Sequence, residues 1–440
     1  MMQPWFDEAK FGVFIHWGIY AVGRRGGESW PIAHGQCSHD EYMEQMKGFS
    51  ASKYRPQEWA QLFRECGAKY AVLTTKHHDG VTLWPTKTGA PSIPNETNCG
   101  DLVGPFLDAL RGEGLKAGLY FSHTDWSHVD HMSVLTGLDE EEILELQKNK
   151  TVWRELWTKG KTQKESDESF TEKWERFLKL HRAQQSEILG EYGEVDLIWF
   201  DVHLGQDRFD YRFRELREFI HGFNPKTVIN SRMDGHGDYE TPEQFIPVYP
   251  PKGPWELCMT TNATWSYNGE EKDYKTSFEV ITMLCECLGM GGNMLLNIGP
   301  DEDGVIPDEQ VAILRSVGDW IQRHEEAVYK TRRGLPHGFA YHHSSLNLEG
   351  DVVYLYVAHV SVESTSIKGI KNKIRRTSLL GSGVECSHKR IGGAPWLGVP
   401  GTLWIDLPRE ALEKEVSVLK VELEGKLDLT DGEGVEIDMN

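Results

Sequence analysis

The residues best able to do chemistry cluster at the ends of short apolar runs. Asp201 closes the run Val195-Asp196-Leu197-Ile198-Trp199-Phe200, so its carboxylate emerges among aromatic rings. A carboxylate held there suits a metal ligand, a general base or a nucleophile. The competing role, a cap on the next helix, is disfavoured because that helix is expected only near Asp207. Four more runs end in the same manner: Phe14-Ile15-His16-Trp17-Gly18, Thr75-Lys76-His77-His78-Asp79-Gly80, Tyr120-Phe121-Ser122-His123 and Asn230-Ser231-Arg232. Five strand ends with functional side chains suit one catalytic rim better than five unrelated caps. Glycoside cleavage needs two carboxyl groups, one as nucleophile or base and one as acid. Glu240, Glu243 and Glu256 are the candidates to join Asp201.

A metal is the main competitor. His77-His78-Asp79 and the run His123-Thr124-Asp125-Trp126-Ser127-His128-Val129-Asp130-His131 have ligand chemistry. Neighbouring residues on a strand point to opposite faces, so His77 and His78 are not expected to share one ion. The first strand offers His-Trp, not the His-x-His of barrel metallohydrolases. We therefore expect no metal and no cofactor, and read 123–131 as a polar rim loop.

These groups need elements to carry them. Strand-like runs lie at Phe11–Gly18, Lys69–His78, Lys116–His123, Val195–Val202, Thr227–Arg232, Trp255–Thr260 and Asn293–Pro300. Helical patterns alternate with them at Pro56–Gly67, Asp101–Gly114, Phe170–Tyr192, Asp207–Phe223, Ser277–Leu288 and Asp308–Tyr329. Such alternation means parallel βαβ units, here an α/β fold of the (β/α)8 TIM-barrel type whose eighth strand has no visible signal. No GxGxxG follows any strand, which argues against a dinucleotide site. A polar stretch at Leu138–Gln163 reads as a solvated helical insertion. From about Arg332 the pattern becomes short strands with Gly/Ser turns: Phe339–Leu346, Val352–Val360, Ser364–Ile370, Arg376–Leu380, Ser387–Ile391, Thr402–Leu407 and Val416–Leu423. That predicts a catalytic barrel over 1–331 and a C-terminal antiparallel β-sandwich over 332–440.

Composition narrows the partners. The 440 residues carry a formal net charge of −21, which disfavours nucleic acid and anionic membrane. No apolar run reaches the roughly 18–20 residues of a membrane span. The N-terminus has no charged-then-apolar leader, and seven scattered cysteines suit reduced thiols. The expected location is the cytoplasm. Fifteen Trp and 18 His beside excess carboxylate suit sugar binding. Charged helices and the insertion are compatible with a homo-oligomer.

Taken in order, WFDEAKFGVFIHWGIY, TTKHHDGVTLW, GLYFS, DLIWFD, the NSR segment, WELCMT with TWSYN, and GGNMLLNIGPDEDGVIPD closely resemble the α-L-fucosidases of glycoside hydrolase family 29. The resemblance runs from about Trp5 to Thr331, and the trailing sandwich fits the same family. It implies a retaining exo-α-L-fucosidase acting on fucosylated glycans, without metal or cofactor. It implies that Asp201 is the nucleophile and Glu243, 42 positions later in YETPEQF, the acid/base, with Glu240 and Glu256 as fallbacks. The implied fucose pocket holds His16, His77, His78, Tyr120, Trp199, Arg232 and Trp265, with Glu28 and Trp30 from Glu28-Ser29-Trp30. In that reading His16, His77, His78 and Glu28 orient hydroxyls, and Trp30, Trp199 and Trp265 offer apolar faces to the sugar methyl and ring. Arg232 stabilises the nucleophile as an anion. Two alternatives keep the same residues: a related α-L-sugar such as L-galactose as substrate, or a sugar-binding protein without catalysis.

Overall fold

The computed structural model describes residues 2–157, 168–202, 209–358 and 363–431. Its first sheet is built from β1 (Phe11–Ile15), β2 (Tyr70–Lys76), β3 (Lys116–Ser122), β4 (Leu197–Asp201), β5 (Val228–Ile229), β6 (Glu256–Thr260) and β7 (Asn293–Ile298). The order is β5-β4-β3-β2-β1-β7-β6, and every pair is parallel. β1, β2 and β7 are buried along their whole length, so they read as continuous apolar runs rather than alternating ones. Crossover helices cover the sheet, among them Pro56–Glu65, Val103–Gly112, Ser277–Met290 and Asp308–Arg323. Helix Pro56–Glu65 starts on Pro at its first turn and is followed by Gly67 at φ +83°. Helix Ser277–Met290 starts on a capping box of Thr276 and Glu279.

The two edge strands, β5 and β6, are joined by the chain between them. Tyr239 bridges Asn230 beside β5, while Glu240 and Glu243 bridge Trp255 and Cys258, all parallel. The Cys258 amide donates to the Pro242 carbonyl at 3.0 Å, and the Gln244 amide donates back to the Cys258 carbonyl at 3.0 Å. Pro242 has no N–H to give, so this stave pairs at isolated points. Polar, proline-interrupted and only a few residues long, it leaves no strand signature in the sequence.

The rest of the chain forms β8 (Thr331–Arg333), β9 (Ser344–Asn347), β10 (Val352–Val357), β11 (Ser364–Ile367), β12 (Ile374–Leu379), β13 (His388–Ile391), β14 (Thr402–Asp406) and β15 (Ser417–Leu423). They make two antiparallel sheets, β12-β15-β10-β9-β8 and β11-β14-β13. Leu355, Leu419 and Val421 of the larger share one apolar cluster with Ile367, Leu403 and Ile405 of the smaller. In β14, Leu403 and Ile405 are buried while Trp404 between them faces out, the alternation of a half-covered sheet. The other face of the larger sheet docks on the helices before it. The Trp320 indole donates to the Val416 carbonyl at 2.7 Å, and the Tyr356 hydroxyl to the Ala327 carbonyl at 2.6 Å.

Several elements differ from expectation. The pattern at Asp308–Tyr329 is two helices, Asp308–Arg323 and Glu325–Val328, broken where His324 leaves helical geometry. The polar insertion holds a helix only at Glu140–Lys148 and a single turn at Trp153–Glu155, and residues 158–163 lie outside the described residues. The helix expected near Asp207 begins at Phe213, and Asp207 itself lies outside the described residues. Most antiparallel strands are shorter than the runs that announced them; β12 starts two residues earlier than expected, at Ile374, and β8 had no expected run. All seven cysteines are free. Among the described residues no helix is long and apolar enough to cross a membrane.

Candidate active site

The carboxyl ends of β1 to β4 and the turns after β5 and the bridging stave converge on one pocket. Asp201, the last residue of β4, sits in register with Ser122 at the end of β3. Its Oδ1 accepts from Arg232 Nη1 at 2.5 Å and from the Val202 amide at 2.9 Å. Its Oδ2 accepts from the Tyr120 hydroxyl at 2.8 Å. Val202 turns the chain at φ +31°, a conformation costly for a β-branched residue and a mark of local constraint. Among the described residues the next helix begins at Phe213 with Arg212 at its N-cap, so Asp201 is not the cap of that helix.

Arg232 lies just past β5, and its fork reaches two carboxylates. Nη1 holds Asp201, and Nη2 donates to Glu243 Oε2 at 2.6 Å. The guanidinium also rests on the Trp199 indole, 4.7 Å from the ring centre, so it can move little. Asp201 is 15% exposed and Glu243 39%, so the second carboxyl stands nearer the pocket mouth. Glu240 is exposed and pairs through its backbone with the chain leading into β6. Glu256, the other fallback, lies below Asp201 and Glu243 with its oxygens already bonded. It is wholly buried, accepting from the Tyr70 hydroxyl at 2.5 Å and the Trp199 indole at 3.0 Å, and burial pushes its carboxyl up to about 7.

The three histidines face the same space, each fixed through Nδ1. His16 meets Asn297 Oδ1 at 2.6 Å, His77 meets Ser29 Oγ at 2.6 Å and His78 meets Ser122 Oγ at 2.7 Å. Burial lowers His16 to about 4 and His78 to about 3, and it drives His77 well below its ordinary value. All three are therefore neutral at ordinary pH, able to donate to or accept from a hydroxyl. The expectation that His77 and His78 face apart fails. β2 ends at Lys76, so strand alternation no longer governs them, and their ring centres lie 4.0 Å apart. One ligand atom from each of His77, His78 and Asp201 falls within 4.8 Å of the others. A cation there would face the Arg232 guanidinium, 2.5 Å from the same carboxylate, which opposes its binding.

The floor is aromatic. Trp199 and Tyr120 stack at 5.7 Å and 17°, with Phe14 at 5.1 Å from Trp199. Trp265 lies 4.9 Å from His16, and Trp30 lies 5.5 Å from His78. Glu28 is buried at φ +49°, and its carboxylate accepts from the Ser266 amide at 2.6 Å, tying the loop after β1 to the loop that carries Trp265. Burial raises the Glu28 carboxyl. Every pocket residue expected from the sequence is thus brought together.

Residues with no expected role in the pocket support it. Ser29, Ser122 and Asn297 orient the histidines, and Asp79 receives the Tyr42 hydroxyl at 2.7 Å. Only the adjacency of Ser122 and Ser29 to functional residues could have flagged them. The run 123–131 is not a polar rim loop. His123, Asp125 and His131 are fully buried. Asp125 pairs with Lys76 at 3.3 Å, and His131 packs 4.2 Å from the Phe177 ring.

The profile of the α-L-fucosidase family matches residues 1–326. Rat tissue α-L-fucosidase is 32% identical over 364 residues, covering 75% of this chain and 70% of that protein. Human tissue α-L-fucosidase is 30% identical over 361 residues, 75% of this chain and 70% of that one. Among solved structures, α-L-fucosidase isoenzyme 1 of Paenibacillus thiaminolyticus superposes with a TM-score of 0.81 at 28% identity, covering 96% of this chain and 98% of that one. A Bacteroides thetaiotaomicron α-L-fucosidase trapped as a covalent intermediate superposes with a TM-score of 0.79 at 24% identity, covering 96% of this chain and 95% of that one.

Proposed function

The chain belongs to the α-L-fucosidase family, and from that premise we propose that it is a retaining exo-α-L-fucosidase that releases terminal L-fucose from glycans through an ester on Asp201. The seven parallel strands and the bridging stave read as a (β/α)8 barrel, and the two antiparallel sheets as a β-sandwich from about residue 332.

One observation carries the site reading: a single guanidinium, that of Arg232, holds Asp201 and Glu243 at the same pocket. That arrangement favours the short carboxyl spacing of retaining enzymes, about 5–5.5 Å, over the about 6.5–9.5 Å of inverting ones. In the first step an Asp201 oxygen forms a bond to the anomeric carbon. The bond from that carbon to the leaving oxygen breaks, and the Glu243 proton goes to the departing alcohol. In the second step the Glu243 carboxylate takes a proton from water. The water oxygen bonds to the anomeric carbon, the ester C–O bond breaks, and Asp201 leaves as carboxylate. Two inversions give net retention. Arg232 and Tyr120 aim Asp201 through the hydrogen bonds that its two oxygens accept.

Neutral His16, His77 and His78 suit an uncharged sugar, because each offers one hydrogen-bonding nitrogen to a hydroxyl. Trp199, Trp265 and Trp30 offer apolar faces to the methyl group and ring C–H bonds.

The test is release of 4-nitrophenol from 4-nitrophenyl α-L-fucopyranoside with EDTA present. Turnover that is lost in Asp201→Ala supports the reading. Turnover that persists in that variant, or that EDTA abolishes, overturns the proposed chemistry.

A further inference from the structure

Glu256 lies at the start of β6, with no exposed surface. A carboxyl in the barrel interior is costly unless its oxygens are used. Here both are: Oε2 accepts from the Tyr70 hydroxyl at 2.5 Å and Oε1 from the Trp199 indole N–H at 3.0 Å. The indole so fixed carries two further groups. Its face supports the Arg232 guanidinium at 4.7 Å, and it stacks on the Tyr120 ring at 5.7 Å. These two side chains are the ones that grip Asp201, through Oδ1 at 2.5 Å and Oδ2 at 2.8 Å.

We propose that Glu256 is a positioning residue for the nucleophile, acting through Trp199 on both of the groups that aim Asp201. The proposal rests on the double-displacement reading above. An indole can pivot about its side-chain bonds. Its N–H bond to Glu256 restrains that pivot. Without the bond the ring relaxes. The surface under Arg232 then tilts, and the Tyr120 hydroxyl loses its fixed line to Asp201. Attack on the anomeric carbon is sensitive to such shifts, since a displacement of about 1 Å can cost about a hundredfold in rate.

The probe is 2-deoxy-2-fluoro-fucosyl fluoride, whose fluoride leaves without an acid, so trapping reports on Asp201 and not on Glu243. Adduct formation is followed by intact mass, and pocket binding separately by the inhibition constant of L-fucose. We expect Glu256→Leu to slow trapping by roughly a hundredfold, more than it raises the inhibition constant, and Glu256→Gln to restore most of the rate. Tyr70→Phe keeps the indole bond but removes the partner that steadies Glu256, and serves if the leucine variant does not fold. Its trapping should slow to a smaller degree. Equal trapping rates overturn the proposal. So does a rate loss matched by the loss in binding, or a glutamine variant no better than leucine. Wild-type protein that forms no adduct overturns the double-displacement reading itself, and the positioning role with it.

Discussion

Arg232 donates to Asp201 across 2.5 Å while its other prong holds Glu243 at 2.6 Å. The bond is geometric as well as electrostatic, because a planar fork fixes both carboxylates at once. Lysine keeps the charge but is a point donor. Arg232→Lys is therefore expected to lower kcat/KM on 4-nitrophenyl α-L-fucoside by about a hundredfold. Activity within severalfold of wild type would mean that charge alone is needed.

Small nucleophiles can separate the two carboxyl roles by stereochemistry. Asp201→Ala and Glu243→Ala should each lose about a thousandfold in turnover on substrates with poor leaving groups. Azide entering the Asp201→Ala pocket would displace the leaving group once and give the β-L-fucosyl azide. Azide attacking the ester in Glu243→Ala would give the α-anomer. NMR of the products reads the outcome, and swapped anomers would reverse the assignment. Azide rescue of Glu240→Ala or Glu256→Ala in place of Glu243→Ala would move the acid/base.

The pocket histidines predict a dependence of stability on acid. Their folded values, about 4 for His16 and about 3 for His78, lie below the ordinary 6.5. Burial favours the neutral form, so the stability they contribute is fully present above about pH 6.5 and is lost as pH falls toward the folded values. The melting temperature should therefore drop over that range, and His78→Gln should flatten part of the drop. The same histidines stay neutral through the mildly acidic range, so their titration should not shape the activity profile there.

Glu256 predicts the opposite sign. Its folded value near 7 lies above the ordinary 4.5, so its contribution is greatest below about pH 4.5 and is lost as pH rises through 7. Relative to wild type, Glu256→Gln should gain melting temperature between about pH 5 and pH 8. A constant difference across that range would show that Glu256 stays ionised when folded.

Lys76 and Asp125 form an ion pair in which both side chains are 1% exposed. Removing one partner strands a buried charge. Lys76→Met should cost about 3–5 kcal/mol in urea unfolding, and adding Asp125→Leu should return part of the loss. Additive losses would mean that the pair is not coupled.

The strand–helix alternation and the residues that end each strand were legible in the order of residue types alone. Short apolar runs alternating with helical patterns fit buried parallel strands, and a polar group closing such a run is a candidate for the rim. Asp201, His16 and Arg232 were legible as candidates for that reason, and Tyr120 through the family resemblance. Tertiary structure decided the rest. The stave at 239–243 was invisible because Pro242 and its polar neighbours give no strand pattern, and only the open edges of β5 and β6 select it. The orientation of His77 and His78 was misjudged because strand periodicity stops at Lys76, and the loop beyond turns both rings into the pocket. The run 123–131 looked solvated because its composition is polar. Its charges and rings instead find partners on Lys76 and on the helix Glu168–Gly190, distant in sequence. The resemblance implies Glu243, and it is the Glu243 side chain that Arg232 reaches. That depends on how the bridging stave passes between two strands, a relation that spacing along one chain does not contain.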